Sequence, residues 1–314
     1  MPSPGAIHPA TYPSQLPDQP SLVAVGTARL AQAYGRLPPA ALMLLAVISV
    51  ELSWALATVV FADVGQAGTA FLSTAFAAMV FTILSPPKID GRIRKHWYLI
   101  LFFGLADAGM ALPFLLALRY DIPLGIASAI AFLGPLGLAV VTSRRFLHFL
   151  WIGIAAFGVA LLTPAIGQDL SVIGLGFAVV SAIAWAGIVL ATKLAGRAFG
   201  GRDGLTLGLW TSSLMLLPFA LAEGTILQAS VLNIGGGLLV ALLGAVLPWA
   251  IEFSVIQRIS ARTYGILVTL EPAVGALVGA IFLGQTVGAR MWIAVACVTV
   301  AAMGVTLSDK REGS

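Results

Sequence analysis

Four carboxylic side chains, Glu51, Asp107, Glu252 and Glu271, fall inside long apolar runs, and no run has a Lys or Arg at its centre to pair with them. An acid in that setting is costly in lipid and marks a ligand site, an ion pathway or a proton relay. Burial penalises an ionised carboxylate, so these groups serve either a cationic group on a small molecule or protons as a coupling ion. The residues alone leave both uses open. The plain alternative for each acid is a protonated carboxyl bonded to a neighbouring helix. Trp54, Trp185 and Trp249 stand in the same class of run, where an indole lines a cavity or simply packs.

Other chemistries lack their residues. His8, His96 and His148 lie in the leader or at run edges, and Cys297 is the single cysteine. Neither a metal-ligand cluster nor a catalytic base at membrane depth emerges. Gly275 and Gly279 form a Gly-x-x-x-Gly spacing suited to close helix approach. No phosphate-cradling glycine pattern accompanies them. We therefore expect no cofactor, no metal and no nucleic-acid partner, and no enzymatic role. A membrane-embedded enzyme acting on a lipid phosphate would need a buried Arg or Lys, which no run centre supplies.

The elements that must position the acids follow from composition. Hydrophobic residues make up 59% of the chain and charged residues 10%, against roughly 25% charged in soluble domains. Mean hydropathy is +1.00, and lipid has to be the solvent. Ten apolar stretches approach the ~20 residues that cross hydrocarbon: 39–61, 66–84, 97–118, 122–142, 148–166, 172–192, 205–222, 235–257, 263–283 and 290–308. The expected fold class is an all-α integral membrane protein. A proline-studded leader, residues 1–37, precedes the stretches and lacks the pattern of a cleaved signal. It reads as a disordered cytoplasmic tail, and residues 309–314 form a second tail.

Orientation follows from the basic residues. With the N-terminus in the cytoplasm, all 17 Lys and Arg residues except Arg119 and Arg290 fall inside, the bias of a positive-inside membrane protein. A missed span would invert every later loop. Both termini are therefore expected in the cytoplasm, and the multi-pass chain in a bacterial inner (plasma) membrane.

Internal similarity divides the chain. Ala111-Leu112-Pro113-Phe114 resembles Val246-Leu247-Pro248-Trp249, Gly134-Pro135 pairs with Glu271-Pro272, and Trp54-Ala55 pairs with Trp185-Ala186. The spacing predicts two five-span halves, 38–166 and 167–308. Five is odd, so the second half enters the membrane inverted, as in many secondary transporters. Pro113, Pro135, Pro248 and Pro272 are the expected helix breaks, because each removes a backbone donor inside a span. Freed backbone at that depth must face protein or a water-filled cavity.

Longer motifs carry a family resemblance over about residues 38–308. Arg262-Thr263-Tyr264-Gly265, Leu270-Glu271-Pro272-Ala273 and Phe282-Leu283-Gly284-Gln285 are the most specific. Pro123-Leu124-Gly125-Ile126-Ala127, Gly134-Pro135-Leu136, Ser143-Arg144-Arg145 and Gly167-Gln168-Asp169 add to them. The chain resembles the EamA-type drug/metabolite transporter superfamily, and within it the threonine/homoserine exporter branch. The resemblance implies ten helices in two inverted repeats, a central cavity, and export of small amino acids, with Glu252 and Glu271 on acidic positions of that branch. This chain departs from the branch at Ser73, where the branch carries an arginine, at Ala131, where it carries a glutamate, and at Glu51, where it carries a neutral amide. A broader exporter of drugs or cationic metabolites is the second reading. The expected partners are a small-molecule substrate (an amino acid or amine) and the lipid bilayer.

Overall fold

A computed structural model describes residues 37–141, 150–151, 153–155, 157–158, 170–199, 203–256, 267–286 and 288–308. The leader, the C-terminal tail, most of the fifth expected span, and the motifs Ser143-Arg144-Arg145, Gly167-Gln168-Asp169 and Arg262-Thr263-Tyr264-Gly265 lie outside them. All regular structure among the described residues is helical. In chain order the helices are α1 Pro39–Leu84, α2 Gly91–Arg119, α3 Leu124–Val141, α4 Val172–Phe199 and α5 Asp203–Glu223, followed by α6 Val231–Ala241, α7 Leu247–Ile256, α8 Glu271–Phe282 and α9 Ala289–Ser308. A π-helical turn, Leu242–Val246, joins α6 to α7.

The outer surface is apolar, unlike that of a soluble protein. Ile183, Leu214 and Ile281 are 70–72% exposed, while Glu51, Ser181, Thr206 and Ser212 are 0% exposed. Hydroxyls and carboxyls are buried among apolar side chains while other aliphatic side chains cover the outside, the arrangement lipid selects. Among the described residues, five helical segments are long and apolar enough to cross a membrane: α1, α2, α4, α5 and the stretch Val231–Glu252. The protein is an all-α membrane protein.

The spans at 39–61 and 66–84 are joined by a single residue instead of the expected short connector. As one straight rod the 46 residues of α1 would reach about 69 Å, more than twice the ~30 Å of hydrocarbon. Gly65, at φ 78° and ψ 169°, occupies backbone space essentially reserved for glycine and folds α1 back on itself. Val60 and Leu72 consequently meet the adjacent Gly236 and Gly237 of α6. The turn exposes the start of a new helix, and the Glu223 carboxylate caps it: Ala67 N–H and Gly68 N–H donate to Glu223 Oε2 at 3.0 and 3.2 Å. A side chain on Gly65 would collide with that carboxylate.

At this same end, Asn233 Nδ2 donates to Asp63 Oδ2 at 2.8 Å, and Ser230 with Asn233 forms a capping box at the start of α6. At the opposite end, Arg92 bridges Asp90 at 2.8 Å and Asp203 at 3.3 Å and reaches the Phe199 carbonyl. Donation from the Arg92 backbone N–H, then from its side chain, holds the Asp90 carboxyl below its ordinary range. That contribution is present above the ordinary carboxyl range and fades as pH falls through the lowered value.

Not all the expected prolines break their helices. α2 runs on through Pro113 and α3 through Pro135, and the non-helical residue in α2 is His96 instead. A lone missing donor is absorbed where neighbours re-satisfy the freed carbonyl. Irregular backbone stands beside the other two: the π turn ends just before Pro248, and Thr269–Leu270 form a turn just before Glu271 and Pro272. Glu271 is therefore at the start of α8 and not in the middle of an unbroken span, as proline's fixed φ and missing N–H favour a first-turn position.

Candidate functional site

The π turn shows how the sequence builds the site locally. Leu247 N–H reaches back to the Leu242 carbonyl, five residues away. The next donor in that register would be Pro248, which has no N–H. The Leu243 carbonyl is left over, and Ser49 Oγ of α1 donates to it at 2.7 Å. Across the molecule, Ser181 Oγ of α4 donates to the Met110 carbonyl of α2, three residues before Pro113, at 3.0 Å.

These irregular helices enclose a cavity of about 660 Å³, within the range that accommodates small molecules. Of the residues expected in a site, Asp107, Glu252, Glu271, Trp54, Trp185, Ser73, Pro135 and Pro248 line it. Pro113 and Pro272 do not. Trp249 does, and the three indoles are fixed from behind. Trp54 leans on Phe114 with ring centroids 4.4 Å apart, Trp185 meets Phe132 edge-on at 5.8 Å, and Trp249 packs on Phe81 at 5.7 Å. Among the described residues, the wall contains no Lys, Arg or His.

The acids divide by setting. Asp107 of α2 accepts from Ser212 Oγ of α5 at 2.7 Å. Glu271 is 8% exposed and faces the cavity, and it interacts electrostatically with Glu252. Glu51 is different. It is 0% exposed and absent from the cavity wall, and it sits behind Glu271 with Ser128 Oγ of α3 donating to its Oε2 at 3.1 Å. Gly275, one turn beyond Glu271 on the same face of α8, makes the room: a Cβ there would lie 2.8 Å from Glu51 Oε2.

The Gly-x-x-x-Gly spacing thus does something other than pure helix packing. Gly275 accommodates the Glu51 carboxyl and Gly279 accommodates the Gln285 amide, whose Oε1 accepts from Leu124 N–H at 3.0 Å. The close helix approach is made by Gly125 of α3, on which a Cβ would overlap the Ala276 backbone of α8. Sequence reasoning missed Ser49, Ser128 and Ser212, the hydroxyls that hold the carbonyl and the carboxyls in place. Their only sequence signal is a polar residue within an apolar run.

Residues 172–307 match the EamA-like transporter family, a stretch that falls within the half expected at 167–308. Over 279 residues the chain is 33% identical to the threonine/homoserine exporter RhtA of Escherichia coli (strain K12), covering 87% of this chain and 93% of that protein. The chain belongs to the EamA-like transporter family. It is also 32% identical, over the same shares, to the threonine/homoserine exporter RhtA of Salmonella typhimurium (strain LT2). A crystal structure that is 18% identical aligns over 87% of this chain and 99% of its own with a TM-score of 0.53, so the two share a fold. Transporters of this family imply a small-molecule substrate and a lipid bilayer as partners.

Proposed function

We propose that this EamA-like transporter exports small amino acids of the threonine/homoserine kind, or related amines, across a bacterial inner membrane. The observation that carries this reading is a cavity walled by Asp107, Glu252, Glu271 and three indoles, with no basic side chain among the described residues that line it. Carboxylates and π faces both attract an ammonium group. A substrate carboxylate would find donors in the wall's Thr74 and Thr192 hydroxyls and in the indole N–H groups, whereas the Ser53 and Ser73 hydroxyls already donate to the Val50 and Ala70 carbonyls. The names of the relatives support the amino-acid class.

Two inverted repeats fit the same reading. The Ser49–Leu243 and Ser181–Met110 bonds are reciprocal: a serine from the first span of each half supports a carbonyl just ahead of the proline in the third span of the other half. Inverted halves that meet in this way around a central site suit alternating access.

The lack of a basic residue among the described residues of the wall, with Ser73 where the resembled branch has arginine, favours a second reading, export of cationic metabolites lacking a carboxylate. Efflux of labelled threonine and of a matched amine from loaded proteoliposomes separates the two. Faster threonine movement than in protein-free vesicles supports the first. Movement of the amine alone supports the second, and movement of neither removes both.

A further inference from the structure

A second hollow, of about 580 Å³, opens near the α1 hairpin turn, where Thr58, Phe61, Arg119, Asp121, Leu283 and Gln285 line it. With the basic residues retained in the cytoplasm, this end is periplasmic. α1 and α2 line the central cavity too, through Val50 and Trp54 and through Met110 and Ala111. Thr58 follows Trp54 by one turn on the same face, and Leu118, also in the outer pocket, follows Ala111 by about 10 Å of helix. Along α2 the Trp54–Phe114 pair falls between the two hollows. Local turns set the polar groups. α2 closes through Asp121 at φ 59°, a conformation aspartate tolerates, with Ile122 N–H returning to the Ala117 carbonyl at 3.1 Å. Gln285 follows Gly284, at φ 63°, and its Oε1 accepts from Leu124 N–H. The amide is thereby fixed, and its Nε2 donor has no partner among the described residues. Thr58 Oγ1 donates to the Ala55 carbonyl at 2.7 Å and keeps its acceptor capacity. Arg119 and Asp121 are exposed, and neither takes part in an ion pair among the described residues.

We propose that this outer pocket is a second binding site, which takes the zwitterion of a small amino acid after it leaves the central cavity. The substrate carboxylate meets Arg119 and the Gln285 amide, a charge-assisted pair and a fixed donor. Its ammonium meets the Asp121 carboxylate and Thr58 Oγ1, and Phe61 and Leu283 receive a short aliphatic side chain. Two opposite charges that leave each other unpaired suit a ligand carrying both. A simple anion or cation would satisfy one and face a like charge at the other. The outer pocket thus supplies the cationic partner that the described wall of the central cavity lacks, and it favours an amino acid over the corresponding amine. Exposed charges hold a ligand weakly, so its affinity should be on the order of 1 mM, which suits a site of release. The proposal rests on the export reading for its ligand.

The test uses the full chain in proteoliposomes, with threonine and its decarboxylated amine as probes. Ala62 lines the outer pocket and is exposed, so Ala62→Cys in a Cys297→Ala background places one thiol there for a membrane-impermeant maleimide. Threonine at about 10 mM should slow that labelling at least about twofold, and the amine should not. Arg119→Gln and Asp121→Asn should each abolish the protection, while Arg119→Lys should keep part of it. These side chains are exposed and unpaired, so the variants should fold, and asparagine also tolerates the φ of Asp121. Efflux gives a second readout. In Arg119→Gln the ratio of threonine to amine efflux should fall at least about threefold, because only threonine offers a carboxylate. Labelling indifferent to threonine would overturn the outer site. So would protection that survives Arg119→Gln, which would assign it to the central cavity, or an unchanged efflux ratio. Threonine efflux without protection sinks the outer site and leaves the export reading standing. Protection that needs Arg119, in vesicles that move no threonine, supports the site while the export reading fails.

Discussion

A carboxyl at membrane depth is read by what surrounds it, and the four acids here have unlike surroundings. Glu252 and Glu271 lie in the cavity wall near one another. Asp107 lies in the same wall, oriented by Ser212, although no motif of the sequence points to it. Glu→Gln at 252 or 271 preserves size while removing charge and titration. Efflux should fall at least tenfold for either, or about 1.4 kcal/mol in the affected step. Protein level in the membrane should hold, because neutralising a buried acid relieves its desolvation cost. Asp107→Asn keeps an acceptor for Ser212, so its efflux should fall by less. Initial efflux rate against pH, normalised to membrane protein, is the measurement. Full activity with an unaltered profile in the 252 and 271 variants would reduce these acids to structural groups. The acids were legible in the sequence because an ionisable residue contrasts with an apolar run. The division between wall and interior was not, since it depends on Gly275 and Ser128 arriving from other helices.

At the scale of the element, proline marked where helices are irregular less well than the geometry of its neighbours. Pro113 and Pro135 sit in continuous helix, while Pro248 follows a π turn. The difference was not legible because it lies in which partner rescues the freed carbonyl. For Leu243 that partner is Ser49, and the account is testable by a double-mutant cycle. Ser49→Ala leaves the carbonyl buried without a donor and should destabilise by about 1–3 kcal/mol. Pro248→Ala restores a backbone N–H in the register the carbonyl needs. In that background Ser49→Ala should cost markedly less, giving a coupling of at least about 0.5 kcal/mol. Unfolding of the detergent-solubilised protein is the readout. Strict additivity would mean that Ser49 and Pro248 are unconnected. Gly65 is the opposite lesson, a break that no proline announces and that exists because a glycine can hold φ 78°.

For the whole molecule, hydropathy and charge made the class legible, because lipid leaves so few alternatives to apolar helices. Orientation is the part that rests on charge alone, and the structure sharpens its test by tying distant residues to one end or the other. The bonds of Asp63 with Asn233 and of Glu223 with Ala67 and Gly68 place the α1 hairpin turn, the end of α5 and the start of α6 together. Arg92 with Asp203 and the Phe199 carbonyl places the start of α2, the end of α4 and the start of α5 together. α2 and α5 each run the length between the two groups, so the groups lie on opposite sides of the membrane. The second group is flanked by Lys88, Arg94, Lys95, Lys193, Arg197 and Arg202, and the first has no Lys or Arg between Arg36 and Lys88 or between Arg202 and Arg258. Basic residues are retained in the cytoplasm. Reporter fusions at Arg94, Arg145 and Arg202 should therefore signal cytoplasm, and fusions at Asp63 and Asp169 periplasm, with Gly224 agreeing with Asp63. A cytoplasmic signal at both Asp63 and Gly224 would invert the whole molecule while keeping its fold. Disagreement between those two sites would contradict the contacts themselves.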